Sequence, residues 1–275
     1  MGRLQAVGVT AEHFARRPAG LSPSGRASPL AAVLDACLTE VAARPFPGAR
    51  RWWVVTRGGG IELRTAWAPH LPAPVLRATR VAAGSALLAV RLAVGASGFR
   101  PVTALLPSGR VRGVLAIVRC GTPSRPTRDE RVLFETLVRA RVPEPGVPVA
   151  LAMPQLRSAV EAEGAWLRTV VDSADGERLR RLPAGDPADI APPGSLVAIL
   201  GSHGELPAAD LMAGQALQRL FCTASALGVS AGVLAGPQEL GADPQAADAG
   251  IGLTEQVLVR VRPPDEAGGA EQEPA

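Results

Sequence analysis

The sequence predicts an α+β protein made of two pseudo-symmetric halves, with long core helices packed against central mixed or antiparallel sheets. Three observations carry this expectation. Residues 83–99 (AGSALLAVRLAVGASGF) and 213–229 (AGQALQRLFCTASALGV) place Ala, Gly, Ala, Leu, Ala and a terminal Gly in one register, and a spacing of roughly 130 residues describes two half-domains rather than a solenoid array. Segments of helical period alternate with short apolar runs on both sides of the midpoint. A chain of 275 residues that is 47% hydrophobic is long enough to bury one large core.

Residues 1–29, which include RRPAGLSPSGRASP, lack a sustained period and read as a flexible arm. The first half spans residues 30–125. Leu30, Val33, Leu34, Cys37, Leu38 and Val41 recur at the spacing of an amphipathic helix. WWVVT and IELR flank Gly58, Gly59 and Gly60, a hairpin signal. The first repeat helix ends at Gly98, and residues 102–106 and 111–119, separated by Pro107, Ser108 and Gly109, read as paired strands.

The second half spans residues 126–262. Residues 131–139 and 156–163 read as helices, residues 166–171 as a strand, and 179–193 as a proline-rich loop. SLVAIL at 195–200 is a continuous apolar run, as a strand buried on both faces requires. Met212, Ala216, Leu220, Ala224 and Leu227 form one face of a helix over 209–227 that Gly228 ends. Residues 256–261 (QVLVRV) close the half as a strand, and residues 263–275 read as a disordered tail.

Composition narrows the function classes. All 29 basic residues are Arg, and the net charge of +4 is spread along the chain while aromatics make up only 3%. No block of basic residues marks a specific nucleic-acid partner. Cys37, Cys120 and Cys222 contain no CxxC pair and read as buried thiols of a reducing compartment. The apolar run 81–94 is broken by Arg91, and no signal-like segment precedes it, so neither a membrane span nor secretion is expected and the cytoplasm is the default. His13, His70 and His203 lie in loop-like or arm-like contexts without a Ser or Cys partner, which disfavours nucleophilic catalysis. No metal-ligand spacing is present.

The ordered series ACLTEVAARP, WWVVTRGGGIELR, VAAGSALLAVRLAVGASGFRPV, LFETLVRARVPEPGVP, AVEAEGAWLRTVVD, SLVAILGS, MAGQALQRLFCTASALGVSAG, GPQE and QVLVRVRP resembles the nitroreductase superfamily. It is most similar to the actinobacterial branch in which one chain holds two nitroreductase-like halves. The resemblance implies FMN at the interface between the halves, hydride transfer from NAD(P)H, and an electron-poor acceptor such as a nitro compound or quinone. It also implies a monomeric pseudo-dimer or a homodimer. The chemistry of such a site belongs to the flavin, and the protein supplies position and electrostatics.

On this resemblance Arg139 and Arg141 of VRARV stand where the family binds the phosphate, although an apolar residue replaces the following Thr or Ser. Arg260 and Arg262 are further phosphate candidates that share one strand face; solvated rim arginines are the alternative. The branch motif APSxxNxQPW is ARPFPGARRW at 43–52, with Pro45, Gly48 and Arg50 at the Ser, Asn and Gln positions. Arg50 and Arg51 are either compensating charge-assisted contacts or solvated loop residues. Trp52 and Trp53 point to opposite faces of a strand, and Trp52 is a candidate flavin wall or a core residue. The segment 230–239 reads as a loop in which Ala235 and Gly236 offer backbone contacts to the reactive edge of the ring. Relatives carry a longer lid-like insertion where this chain has residues 181–195. Three lost hydrogen bonds amount to about 2–4 kcal/mol, or very roughly 30- to 1,000-fold in affinity. A second reading therefore stays open: a degenerate, non-catalytic relative acting in flavin sequestration, in regulation or as partner of an active enzyme.

Overall fold

The computed structural model describes residues 29–44, 46–47, 49–66, 70–107, 112–139, 146–170, 192–241 and 252–264. In chain order these contain α1 (Pro29–Ala42), β1 (Trp52–Arg57), β2 (Gly60–Thr65), α2 (Ala73–Ala96), β3 (Phe99–Leu105), β4 (Val114–Pro123), α3 (Arg128–Val138), α4 (Val149–Glu161), β5 (Ala165–Thr169), β6 (Leu196–His203), α5 (Pro207–Ala226), β7 (Ser230–Ala235), α6 (Pro237–Gly241) and β8 (Leu253–Arg262). Of the expected arm (1–29), residues 1–28 lie outside the described residues and Pro29 opens α1 instead; most of the proline-rich loop and the tail from 265 also lie outside the described residues.

Local chemistry accounts for most boundaries. Gly58 and Gly59 both have positive φ, +57° and +74°, the backbone that a two-residue turn between antiparallel strands demands. Gly228, at φ +69°, ends α5 in the left-handed conformation that glycine adopts without a Cβ clash. Thr127 and Glu130 form a reciprocal capping box at α3: the Thr127 side chain accepts from the Glu130 N–H at 3.2 Å, and Glu130 Oε2 accepts from the Thr127 N–H at 2.8 Å. Each such pair satisfies two backbone donors that a helix start otherwise leaves open.

The strands form two four-stranded sheets, ordered β1-β2-β4-β3 and β5-β6-β8-β7. Every pairing is antiparallel, so the mixed alternative gives way to antiparallel sheets. The reason is connectivity: β1 and β2 join by a tight hairpin, and in each half a long helix intervenes before the two remaining strands return to the sheet. As the continuous apolar run predicts, β6 is buried on both faces. Ala198 and Leu200 join one core, while Val197 and Ile199 join a separate cluster on the opposite side.

Helices α2 and α5 lie against each other at the centre. Ala83, Leu87 and Val94 of α2 belong to the first core with Ile61, Leu63 and Val118. Val81 of α2 belongs instead to the second core, while Leu211 and Cys222 of α5 belong to the first. Each helix thus completes the other's core. Fully burying a Leu or Val side chain contributes about 1.5–3 kcal/mol relative to leaving it exposed, so this exchange ties the sheets into one structure. By length and composition α2 could cross a membrane, yet 83% of the qualifying window is buried inside the protein.

The crossing is set by the two repeat glycines. A Cβ on Gly84 would run into the Leu211 carbonyl oxygen and lie 2.8 Å from Gly214 Cα; one on Gly214 would run into the Val81 carbonyl and lie 2.7 Å from Gly84 Cα. Ser85 Oγ donates to the Gly214 carbonyl at 3.0 Å. The offset of 130 residues that separates Arg80 from Asp210 also separates Gly84 from Gly214, so the helices run in the same sense where they meet.

Four local expectations change. Helix α4 begins at Val149, upstream of the anticipated start, because Val149, Ala152 and Met153 bury the same face as Leu156 in spite of Pro154 inside the helix. The segment 230–239 is not a loop: Ser230–Ala235 pairs along β8 and Pro237–Gly241 is a helix. Cys37 and Cys222 are buried, but Cys120 is exposed, since it lies near the end of β4 beyond the part that α2 covers. His203 ends strand β6 rather than lying in a loop, and it is exposed.

Candidate functional site

The residues that the nitroreductase resemblance implicates fall into three places, with Arg139 apart from all of them. The first is the connection from α1 to β1. Arg50 and Arg51 are both exposed. The Arg50 backbone N–H donates to Thr79 Oγ1 of α2 at 2.9 Å, and the Arg51 carbonyl accepts from Thr65 Oγ1 at 3.2 Å. Their backbones are therefore held while their side chains extend outward. Trp52 is half-buried and packs on the first core, which is the core alternative rather than an open wall.

The second place is the corner between β7 and α6. Ala235 and Gly236 are buried. Phe46 and Pro47, from the segment that replaces the polar motif, lie directly over Gly236: an added Cβ would be 3.2 Å from Phe46 Cε1 and 3.3 Å from the Pro47 carbonyl oxygen. The Gly236 N–H, a sequence candidate for a ring contact, already donates to Glu239 Oε2 at 2.9 Å. Ala235 pairs with Leu258 and belongs to the outer cluster of the second sheet. Both residues are thus engaged by the protein's own groups.

The third place is β8. Arg260 pairs with Val197 on one side and Gly232 on the other, and Arg262 pairs with Ser230. The two arginines are half-exposed and alternate with buried Val259 and Val261, so they share the face turned away from the second core. Space is open beside Arg260, because a Cβ on Gly232 would meet nothing within 4 Å. Arg139 follows α3 with three-quarters of its side chain exposed, 3.9 Å from Glu135. Its companion Arg141 lies outside the described residues. The structure brings together the 46–47 segment with Ala235 and Gly236; Arg139 remains apart on the surface.

Two ionic clusters escaped sequence reasoning, and both span the α2–α5 contact. Asp210, fully buried in the first turn of α5, takes Arg80 Nε and Nη2 on Oδ2 at 2.7 Å each. Gln256 Nε2 donates to its Oδ1 at 2.8 Å and also to Ser202 Oγ at 2.9 Å, and Arg77 lies 3.8 Å from Oδ1. Burial pushes the Asp210 carboxyl above its ordinary value against the opposing pull of Arg80, Gln256 and Arg77. The second cluster centres on Glu163, which accepts from Arg91 at 2.7 Å and Arg219 at 2.9 Å; Arg91 also donates to Gln215 Oε1 at 2.6 Å. The available signal was Arg91 itself, a charge inside an apolar helix that must find a partner.

Two of the three cysteines are buried. Burial, followed by the neighbouring Cys222, pushes the Cys37 thiol up to about 12, and burial pushes Cys222 up to about 11. A thiolate, not a thiol, is the nucleophile. His70 and His203 are exposed, and no group of three or more metal-ligating side chains occurs among the described residues. No protein-family model matches the chain. No curated protein matches it either.

Proposed function

We propose that the chain is a nitroreductase-like pseudo-dimer whose flavin-facing corner is occupied by its own side chains, and that it acts in regulation or as partner of an active enzyme rather than in flavin chemistry. One observation carries this reading. Phe46 and Pro47, from the segment standing in for the polar flavin motif, cover Gly236, whose amide is already bonded to Glu239. A ring edge placed there would have to displace an apolar contact and a charge-assisted hydrogen bond together. The common strand order of the two sheets and the reciprocal approach of Gly84 and Gly214 support the pseudo-symmetric, two-halved scaffold.

The absorption spectrum of the purified protein, followed by titration with FMN, tests the proposal. The expected result is no bound flavin on purification and FMN binding weaker by roughly 30- to 1,000-fold than at a site that retains the three hydrogen bonds. Stoichiometric FMN with NAD(P)H oxidation would refute it. That outcome would favour the second reading, an NAD(P)H-dependent FMN oxidoreductase acting on a nitro compound or quinone. The pair Arg260 and Arg262 beside the open space at Gly232 is the observation that favours it.

A further inference from the structure

The two sheets differ in what lies on their outer faces. In the second sheet Val197, Ile199 and Leu258 are buried there together with Leu240 of α6. In the first sheet Ile61, Leu63, Ala116 and Val118 face the core, which leaves Trp53, Val55 and Arg57 of β1, Glu62 and Arg64 of β2, Ile117 and Arg119 of β4, and Arg100 and Val102 of β3 on the other side. Trp53 is 38% exposed and Val102 52% exposed.

The charge on this face is one-sided. Glu62 faces Arg64 at 3.5 Å. Arg57, Arg100 and Arg119 are exposed, and none has an ion-pair partner among the described residues. They are far apart in sequence, but the register collects them at one end of the sheet. Arg57 pairs with Gly60, Gly60 with Arg119, and Arg119 with Val102, two residues from Arg100. Two glycines keep the floor low: a Cβ on Gly60 would press on Ile117 at 3.2 Å, and one on Gly121 on Val102 at 2.9 Å.

We infer that this face binds single-stranded nucleic acid without sequence preference. Three uncompensated guanidinium groups in a row suit a backbone of phosphates. The span from β1 to β3, three inter-strand steps or about 14 Å, is wide enough for a strand laid across it. Trp53, Val55 and Ile117 give bases an apolar surface beside the arginines on which to stack, with Glu62 between them turned toward Arg64. The three arginines without an ion-pair partner line one end of the face.

The test is fluorescence anisotropy of the full chain with a labelled oligouridylate of about 12 nucleotides. Binding on the order of 10 µM at low salt is expected, weakening roughly 20-fold between about 50 and 200 mM salt, as three phosphate contacts predict. The triple variant R57Q/R100Q/R119Q should lose most of the salt dependence and at least about tenfold in affinity, and Trp53→Ala about tenfold. All four positions are exposed, and an unchanged denaturation midpoint checks that each variant is folded. No binding at about 500 µM, or a triple variant that binds like the parent, overturns the inference. A duplex or a polyglutamate chain that binds as tightly would overturn it as well, the latter pointing to an acidic protein partner.

Discussion

Gly84→Ala is the sharpest probe of the central contact. In an ordinary helix this substitution stabilises by about 1 kcal/mol, because glycine loses more backbone entropy on folding than alanine. Here the added methyl meets two pieces of backbone, the Leu211 carbonyl and Gly214 Cα, neither of which can rotate away as a side chain can. Overpacking of this kind costs about 1–3 kcal/mol, and the upper end applies because α2 and α5 must separate as bodies. The net expectation is a loss of about 2 kcal/mol, or roughly 5 °C in melting temperature for a chain of this size. Gly95→Ala is the matched control. It lies in the same helix, and its Cβ would meet nothing within 4 Å, so it should gain about 0.5–1 kcal/mol. Denaturant titrations of both variants supply the measurement. A Gly84→Ala protein with a midpoint at or above the parent's would show that the repeat glycines do not set the helix approach.

Two further outcomes follow from the buried ionisable groups. Because burial raises the folded Asp210 carboxyl above 3.8, its contribution to stability is complete below that value and is lost as pH rises through the folded value. The stability advantage of the parent over Asp210→Asn in a series of urea midpoints should therefore narrow toward neutral pH; a gap that widens would mean that Arg80 and Arg77 outweigh burial. For the thiols, a chromogenic disulfide reagent should titrate Cys120 alone in the native protein and all three cysteines after denaturation. Rapid native modification of Cys37 or Cys222 would contradict their burial and raised values.

What the sequence revealed was local. The stripe of α5 and the glycine turn between β1 and β2 were legible because each is written in consecutive residues. The start of α4 was obscured by Pro154, whose cost the burial of Val149, Ala152 and Met153 offsets. Strand β7 is illegible locally because SAGVLA is short and contains Gly232, and its pairing partner lies more than twenty residues away. The capping box at Thr127 and Glu130 is written in the sequence as a T-x-x-E motif. The candidate site was harder still. No pattern local to the 46–47 segment says that it will cover Gly236, and nothing near Asp210 names Arg80 as its partner. The arginines at 57, 100 and 119 form a patch only after β1, β3 and β4 have been placed around β2.

The helix contact at the centre also constrains how the protein is made. Arg80 cannot reach Asp210, nor Ser85 the Gly214 carbonyl, until some 130 more residues have been synthesised. At roughly 5–20 residues per second that is a wait of about 7–26 s. During it α2 has left the ribosome with Val81, destined for the second core, still uncovered. Contacts of such long range also slow the folding search. The first half should therefore depend on protection from aggregation until α5 arrives, a demand placed on the cell by a pair of glycines.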